Sequence, residues 1–263
     1  MPVDVVGDPS KIKVSELVVS QKKDRIYGIF DPDRDIKPET WEGLTDFLND
    51  RGNLSHLEYK VIPAVFVALV KGDVDKEVLS YVETQAKRIK SANYIWALYI
   101  LSPDKVSSIF LNQNEKKESY DDIKNIWKRQ PQRPNFVDTY THFTMGTIFS
   151  DLFNKDQEFK EDIHTGLVKT MSETETKFEL IKAIAAFRIC FPQDKSWPQY
   201  FDRFDWKNFA EYYEGRYEML ADSNTFFYIA TADKVVVSES GLKLEFGEKP
   251  ESQETPLPER RKY

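Results

Sequence analysis

Apolar side chains recur with helical spacing along most of this chain. Leu44, Phe47 and Leu48 share one helix face, and Gly52 follows the last of them, where a helix commonly stops. Because similar stretches return as far as residue 220, the pattern predicts a succession of helices with no strands between them. No fixed repeat period connects these stretches, which argues against a regular solenoid.

Capping residues and prolines set the boundaries of the predicted helices. A Ser followed by Glu three residues later, a capping box, occurs at Ser55 and Ser172, and Ser119 is a further predicted cap. Pro103 stands where a helix starts, and Pro192 where one stops. We predict a mainly α fold, an irregular globular body of about nine or ten helices. The predicted helices cover residues 37–52, 55–70, 73–91, 92–101, a short helix from 102, 119–130, 135–154, 156–171 and 172–191, followed by one helix or a pair of helices over 196–220, with a polar loop at 112–119.

The pattern changes after the predicted all-α core, which spans residues 36–222. Residues 223–247 contain β-branched and alternating stretches with turn residues between them, which predicts a small β-hairpin or meander. Residues 248–263 form a polar, Pro-containing segment with the composition of a flexible tail. Residues 1–35 show no clear period and are predicted to form an irregular N-terminal arm.

The composition is typical of a globular protein from a reducing compartment. Hydrophobic residues make up 40% of the chain and charged residues 31%. The single cysteine, Cys190, has apolar neighbours and is predicted to be a buried structural thiol. No apolar run approaches the ~18 residues that would cross a bilayer, and the first residues do not resemble a signal peptide. We therefore expect a cytoplasmic protein, or a virion protein if the source is viral, with no membrane partner.

Patterns that carry catalytic chemistry are missing from the sequence. It contains no Gly-rich phosphate loop, no zinc-binding pattern and no GxSxG nucleophile. His142 has Asp138 four residues earlier on the same helix face, and a carboxylate there can tune an imidazole. A helix-surface or half-buried structural pair is the simpler interpretation. The sequence therefore indicates no catalytic residue, metal or cofactor, and favours a role other than catalysis.

Positive charge is concentrated in the middle of an otherwise acidic chain. The net charge is −7, yet residues 76–135 hold 11 Lys and Arg against 7 Asp and Glu, a balance of +4. A basic region of this kind indicates a polyanionic partner, although the helix dipole also favours cations at helix C-termini. The candidate nucleic-acid-binding residues are Lys87, Arg88, Lys90, Lys116, Lys117, Lys124, Lys128, Arg129 and Arg133.

Aromatic residues near these cations are candidates for stacking on bases. A groove that binds a single strand combines Lys and Arg for phosphates with aromatic rings for bases. Trp127, however, shares a helical i, i+3, i+4 set with Ile123 and Ile126, which predicts core packing for all three. The stacking candidates are Tyr94, Trp96, Trp127 and Phe136, of which Trp96 and Phe136 lie in apolar predicted helices where core packing is expected.

Two functions remain open on the sequence. The first is a self-assembling structural protein of the nucleocapsid or coat type. It would bind single-stranded RNA in a basic central groove, and its terminal segments would contact neighbouring subunits. The second is a helical scaffold or adaptor that binds protein partners through an aromatic-rich C-terminal half. Residues 197–217 hold nine aromatic residues in 21 positions, and aromatic side chains dominate the energetic centres of interfaces, although core packing explains the same residues.

Overall fold

The fold is known from a computed structural model that describes residues 38–50, 57–129, 138–204, 206 and 217–246. Within these ranges the chain forms eleven α-helices, one 3₁₀-helix and one two-stranded hairpin, which confirms the predicted mainly α fold. The helices are α1 (Pro38–Asn49), α2 (Leu57–Lys71), α3 (Lys76–Ile89), α4 (Ala92–Leu101), the 3₁₀-helix (Pro103–Ile109), α5 (Gln113–Arg129), α6 (Thr139–Gly146), α7 (Ser150–Phe153), α8 (Gln157–Glu173), α9 (Lys177–Cys190), α10 (Pro198–Phe201) and α11 (Tyr217–Thr231).

Helices α4, α9 and α11 form the centre of the core. Ten of the fourteen residues of α9 are buried, and α11 packs against both α9 and α2. On α4, Trp96 is fully buried with its ring centroid 4.6 Å from that of Phe143 on α6. Helices that are apolar on all faces have no side to present to water, so they occupy the interior. This confirms the prediction of a buried helix over 92–101.

The C-terminal hairpin pairs β1 (Lys234–Ser238) with β2 (Gly241–Glu245) in antiparallel register. Its turn is fixed to the body because the Tyr99 hydroxyl donates to the Ser238 carbonyl at 2.8 Å. Gly241 has a φ of +110°, and a Cβ there would lie 2.9 Å from Pro103 Cγ, so only glycine fits. The hairpin begins later than predicted, because the apolar residues 225–231 continue helix α11 and are buried in the core.

Helix α5 starts six residues earlier than predicted. The polar run 112–119 was expected to be a loop closed by Ser119, but Asn112 supplies the cap by accepting from the Glu115 amide at 3.0 Å. The Glu115 carboxylate in turn accepts from the Leu111 amide, a reciprocal arrangement similar to a capping box. Ser119 is consequently buried inside the helix.

The predicted long helix over 135–154 is two helices, α6 and α7, in the described part of that segment. The Phe149 amide bonds to the Thr144 carbonyl five residues back, at 3.1 Å, instead of four residues back. The Thr147 hydroxyl donates to the Phe143 carbonyl at 2.6 Å, which satisfies an acceptor at the end of α6. This break turns the chain so that both helices can pack on the core.

The helix predicted after Ser172 begins four residues later. Ser172 lies in the last turn of α8 and donates to the Val168 carbonyl at 2.8 Å. The cap of α9 is Thr176, whose hydroxyl accepts from the Glu179 amide at 3.2 Å. Thr176 and Glu179 form a capping pattern of the same kind, which the preceding Ser and Glu obscured.

The predicted N-terminal arm, residues 1–35, and the predicted tail, residues 248–263, lie outside the described residues, as does the capping box at Ser55. Among the helices of the described part of the chain, none combines the length and apolar character needed to cross a membrane. The described residues thus consist of an α-helical body with one hairpin packed on it.

Candidate nucleic-acid interface

A cleft of about 800 Å³ opens where the end of α3 and the start of α4 face α5 and the start of α6. Four of the nine predicted cations line it. Lys87, Arg88 and Lys90 come from the end of α3, and Arg129 comes from the last turn of α5. Tertiary packing therefore brings part of the basic middle of the sequence onto one surface, which we call the basic cleft.

The turn between α3 and α4 determines how the first three cations are presented. Lys90 ends α3 in the left-handed conformation, with a φ of 54°, and its amide donates to the Ala86 carbonyl at 3.1 Å. This tight turn lets α4 begin at Ala92. The C-terminus of α3 and the N-terminus of α4 therefore meet at the same side of the basic cleft.

The N-terminus of α4 contributes its own positive potential to the basic cleft. Ser91, Ala92 and Asn93 line the cleft, and Ser91, the cap residue, makes no side-chain hydrogen bond to the first-turn amides. Its hydroxyl instead lies 2.6 Å from Asn93 Oδ1. The first amides of a helix carry partial positive charge and bind anions when no side chain caps them.

Three of the four cations of the basic cleft have side-chain partners among the described residues. Lys87 Nζ pairs with Glu83 at 2.8 Å, and Lys90 pairs with Glu115. Arg88 donates to the Gln85 side chain at 2.7 Å. The Lys87–Glu83 pair is exposed, whereas the Lys90–Glu115 pair is partly buried. Exposed ion pairs contribute only ~0.2–1 kcal/mol, so a phosphate can replace Glu83 as the partner of Lys87 at little cost.

Two acids share the cleft with the cations. Asp138 is already engaged, because it caps α6 and accepts from the Thr141 hydroxyl at 2.6 Å. Asp122 is exposed on α5. Within the described residues Arg129 has no ion-pair partner. Among the residues that line the cleft there are four cations and two acids, and two of the cations, Lys87 and Lys90, are paired with carboxylates outside the lining.

Lys124 and Lys128 have a different environment from the cleft cations. Lys124 pairs with Asp156, which also accepts from the Tyr120 hydroxyl at 2.9 Å. Its ammonium lies 5.2 Å from the centroid of the Phe159 ring, and that of Lys128 lies 5.9 Å from the same centroid. Lys124 therefore joins α5 to the start of α8, which is a structural role.

The remaining predicted cations do not line the basic cleft either. Lys116 pairs with Asp151 on α7 at 3.0 Å, and Lys117 pairs with Asp121 one turn along α5 at 2.7 Å. Arg133 lies outside the described residues. The structure thus separates the nine predicted residues into a cleft group of four, a dispersed group of four and one residue that it does not describe.

The aromatic stacking candidates are not brought to the cleft. Trp96 is in the core. Trp127 is half-buried, with its ring edge-to-face against Phe159 at 5.3 Å between centroids. Tyr94 is half-buried as well, and neither it nor Trp127 lines the cleft. Phe136 lies outside the described residues. Any base contact in this cleft must involve other side chains.

Two isoleucines that the sequence did not single out as ligand contacts are exposed in the cleft. Ile89 is 50% exposed and Ile126 is 58% exposed, and both line the basic cleft. The expectation that Ile126 packs in the core with Ile123 and Trp127 is wrong for Ile126 itself. The core-facing side of α5 is centred near Ile123 and Trp127, and the 100° step between helical residues turns Ile126 toward the cleft.

A sequence signal for this surface exists on α5. Asp122, Asn125, Ile126 and Arg129 follow the i, i+3, i+4, i+7 spacing of a single helix face, and all four line the cleft. Because three of these four residues are polar, the stripe resembles an ordinary solvated face. Only the tertiary structure shows that this stripe of α5 faces the end of α3 and the start of α4 across the cleft.

His142 and Cys190 are structural. The His142 ring lies 2.5 Å from the Asp138 carbonyl through Nδ1, and burial lowers the pKa of the imidazole. The Cys190 thiol donates to the His142 carbonyl at 3.1 Å, and burial raises the pKa of this thiol. The prediction of a buried thiol is confirmed. Among the described residues no group of three or more His, Cys, Asp or Glu side chains is placed to hold a metal ion.

The aromatic-rich C-terminal segment packs inward wherever it is described. Trp197 is 7% exposed, and Phe201 and Trp206 are fully buried. The rings of Phe201 and Trp206 stack with their centroids 4.6 Å apart. Residues 207–216, which contain several of the other aromatics, lie outside the described residues. The described part of this segment therefore forms core and does not form an exposed anchor surface.

Comparisons with protein-family models, with curated proteins and with solved structures find no match to this chain. The chemistry of the basic cleft is therefore the basis for assigning a function. Its elements are two guanidinium groups, two ammonium groups, a helix N-terminus and two exposed isoleucines.

Proposed function

We propose that the protein binds single-stranded RNA in the basic cleft, as a non-enzymatic structural protein of the nucleocapsid or coat type. The observation that carries this proposal is the convergence of Lys87, Arg88, Lys90 and Arg129 with the N-terminus of α4 on one cleft. The protein would act in the cytoplasm, or in the virion if the source is viral.

The cleft is chemically suited to phosphate groups. The planar guanidinium groups of Arg88 and Arg129 can each bind two phosphate oxygens, whereas Lys87 and Lys90 act as point charges. The uncapped amides at the start of α4 add hydrogen bonds that favour an anion. These donors come from three helices, α3, α4 and α5, and together they provide enough contacts for more than one phosphate group.

The exposed isoleucines favour a single strand over a duplex. Ile89 and Ile126 present apolar surface beside the cations, and the faces of bases are accessible to such surface when they are not stacked in a helix. Asn93 and Asn125 offer donors and acceptors for base edges. The Asp122 carboxylate can accept from a ribose 2′-hydroxyl, the group that distinguishes RNA from DNA.

The adaptor function receives less support. It requires exposed aromatic anchors in the C-terminal half, but Trp197, Phe201 and Trp206 are buried. An RNA strand requires cations for its phosphates, whereas a protein partner is commonly bound through exposed aromatic side chains. The basic cleft has few aromatic groups, and its cations are suited to an anionic ligand.

Charge reversal in the cleft tests the proposal. The variant Arg88→Glu/Arg129→Glu removes the two guanidinium groups, and Lys169→Glu/Lys243→Glu makes the same change in net charge at exposed positions that do not line the cleft. Binding of a fluorescent single-stranded RNA is measured as a function of salt for the wild type and both variants. We expect the cleft variant to lose at least about tenfold in affinity, and its log–log salt slope to fall by ~0.7 for each lost phosphate contact.

The control variant should lose much less affinity than the cleft variant and keep the slope of the wild type. Equal losses in the two variants would show that net charge, and not the cleft, determines binding. Wild-type protein that binds neither RNA nor DNA at low salt would refute the proposed function outright. A parallel titration with DNA of the same sequence measures the preference for RNA over DNA that Asp122 suggests. A titration with duplex RNA measures the preference for a single strand that Ile89 and Ile126 suggest.

A further inference from the structure

A second groove, of about 1060 Å³, lies between the 3₁₀-helix, the start of α5 and the turn of the hairpin. We call it the hairpin groove. It is on a different part of the surface from the basic cleft, with which it shares no lining residue. Its apolar lining consists of Tyr99, Pro103, Val106, Phe110, Leu111, Ile148 and Val237.

Leu111 is the outstanding feature of the hairpin groove. It is 89% exposed, the highest value among the exposed large hydrophobic residues. Its position is fixed, because its amide donates to the Glu115 carboxylate and it directly precedes Asn112, the cap of α5. A hydrophobic residue before a cap commonly packs on the residue four positions into the helix, which here is the charged Lys116. Leu111 therefore has no apolar staple partner on its own helix.

The hairpin groove has an acidic rim, in contrast to the basic cleft. Asp104, Asp151 and Glu239 line it, against one cation, Lys116. Lys116 is already paired with Asp151 at 3.0 Å, which leaves Asp104 and Glu239 to attract a positive ligand. A suitable occupant combines aliphatic side chains with positive charge, and RNA does not.

One segment of the chain has this combination. Residues 11–23, KIKVSELVVSQKK, contain five aliphatic residues within the eight positions 12–19, and they hold four lysines against one glutamate. The segment at the opposite end, residues 247–263, holds four cations and four acids and is poor in aliphatic residues. Charge complementarity and apolar content therefore select residues 11–23 over the other terminal segment.

We propose that the hairpin groove binds residues 11–23 of a second copy of the chain. The aliphatic side chains of the segment cover Leu111, Phe110 and Val237, and the flanking lysines approach Asp104 and Glu239. Segments that bind in extended form use exposed apolar pockets in this manner. Residues 24–37 connect the segment to α1, which begins at Pro38, and in this proposal they provide the reach to a neighbouring molecule.

The donor segment and the acceptor groove are different surfaces, so each copy has one of each. Such a heterologous contact does not end at a dimer but continues from copy to copy, unless the rotation between copies closes a ring. Repetition along one direction is what a coat on a nucleic-acid strand requires. In this respect the inference rests on the coat-type function proposed above, although the contact itself needs no RNA.

Two full-length variants test the contact by complementation. Leu111→Lys disables the groove at an exposed position, and Leu17→Asp disables the segment. Val74→Lys, at a residue that is 37% exposed and does not line the groove, is the matched control. Each protein is freed of nucleic acid with nuclease, checked by its 260/280 nm absorbance ratio, and analysed by sedimentation over a range of concentrations.

We expect the wild type and Val74→Lys to form species larger than the 30.8 kDa monomer as the concentration rises. Leu111→Lys and Leu17→Asp should each associate at least about tenfold more weakly. A mixture of these two variants should form dimers and stop there, because one variant retains the groove and the other retains the segment.

A wild type that stays monomeric at every concentration, or variants that associate as well as the wild type, would overturn the inference. A mixture that stays monomeric would overturn it too, since a segment bound to its own groove cannot complement. RNA affinity for a short oligonucleotide should be the same in Leu111→Lys as in Val74→Lys, which adds the same charge. The Arg88→Glu/Arg129→Glu protein should still associate, so failure of the RNA-binding proposal and failure of this one give different results.

Discussion

The Tyr140 hydroxyl donates to Asp222 Oδ1 at 2.8 Å and thereby ties a wall of the basic cleft to helix α11. Burial raises the pKa of Asp222 from 3.8 to about 6, and this effect outweighs the opposing influence of the Tyr140 hydrogen bond and the Lys182 charge. The folded protein therefore binds a proton at Asp222 in a pH range where the unfolded chain has released it. The energetic consequence is a stability that depends on pH.

Asp222→Asn should stabilise the protein at neutral pH. The pKa of Asp222 is higher in the folded state than in the unfolded chain. The protonated side chain therefore makes its full contribution to the unfolding free energy below pH ~4, and this contribution is lost as the pH rises through about 6. Asparagine keeps an acceptor for Tyr140 and has no charge to bury, so we expect a gain of about 1–3 kcal/mol at pH 7 and little gain at pH 4. Urea unfolding of both proteins between pH 4 and 7 measures the difference.

Tyr140→Phe is the control for the same bond. It removes the donor but leaves the buried carboxylate, so the unfolding free energy at pH 7 should fall by about 1–3 kcal/mol. An Asp222→Asn protein whose advantage over the wild type is the same at every pH would contradict the assigned titration.

Two glycines in helices should respond in opposite directions to substitution by alanine. At Gly146 a Cβ would lie 2.8 Å from both the Ile189 Cγ2 atom and the Ile189 carbonyl oxygen, whereas at Gly166 nothing lies within 4 Å. Gly146→Ala should cost about 1–3 kcal/mol because α6 and α9 must separate. Gly166→Ala should add ~0.5–1 kcal/mol because alanine restricts the unfolded chain and favours the helix. Thermal unfolding of both variants is the measurement, and a stabilised Gly146→Ala protein would contradict the close packing of α6 on α9.

Arg188 holds the C-terminal end of α11 from inside the core. Its Nη1 donates to the carbonyls of Ile229 and Ala230, both at 3.0 Å. Its guanidinium carbon lies 4.5 Å from the centroid of the Trp197 ring, and burial lowers the pKa of Arg188 to about 10. Arg188→Ala should lower the unfolding free energy by about 2–4 kcal/mol, because it leaves buried carbonyls without a donor and opens a cavity.

Arg188→Lys separates the contribution of the hydrogen bonds to the α11 carbonyls from that of the contact with the Trp197 ring. The ammonium can restore a hydrogen bond but not the contact of the guanidinium group with the Trp197 ring, so only part of the stability should return. Denaturant unfolding of the two variants gives the comparison, with Lys169→Ala, at an exposed residue, as the reference for a surface change. Full recovery in Arg188→Lys would show that the contact with Trp197 contributes nothing.

The helical body could be predicted from the sequence because its signals are local. A nearly continuous apolar run identifies α4, and Pro192 marks the end of α9. The errors occur where two local signals compete. Asn112 and Ser119 can both cap a helix. Asn112 is the actual cap, because it accepts from the Glu115 amide while the Glu115 carboxylate accepts from the Leu111 amide. At the break after α6, the Phe149 amide bonds five residues back to the Thr144 carbonyl and the Thr147 hydroxyl bonds to the Phe143 carbonyl, and hydrophobic periodicity does not record such bonds.

The basic cleft could be predicted only in part. The distribution of charge in the sequence identified nine candidate cations without ranking them. It could not show that Lys124 pairs with Asp156, or that Arg88 and Arg129 line the same cleft. That distinction depends on how α3 packs relative to α5, which is a long-range relationship. Ile126 illustrates the same limit, because its exposure follows from its helical angle and from the lack of a packing partner in that direction among the described residues.

Glu115→Gln should strengthen RNA binding, because Glu115 competes with phosphate for a cleft cation. Its carboxylate pairs with Lys90, which lines the basic cleft, and the Lys90 and Leu111 hydrogen bonds hold the pKa of Glu115 below its usual range, so it is charged at neutral pH. Glutamine keeps an acceptor for the Leu111 amide but releases the Lys90 charge. We expect affinity for single-stranded RNA to rise by about two- to fivefold at low salt.

The matched control for this prediction is Asp121→Asn, which makes the same change in net charge. Asp121 pairs with Lys117, and neither residue lines the cleft. Asp121→Asn should therefore raise affinity less than Glu115→Gln, and the difference should disappear at high salt, where exposed charges are screened. Equal gains in the two variants would mean that RNA responds to the net charge of the protein and that Lys90 makes no specific contact. Fluorescence anisotropy titrations at low and high salt distinguish the two outcomes, because only a local contact produces a difference at low salt between variants of identical charge.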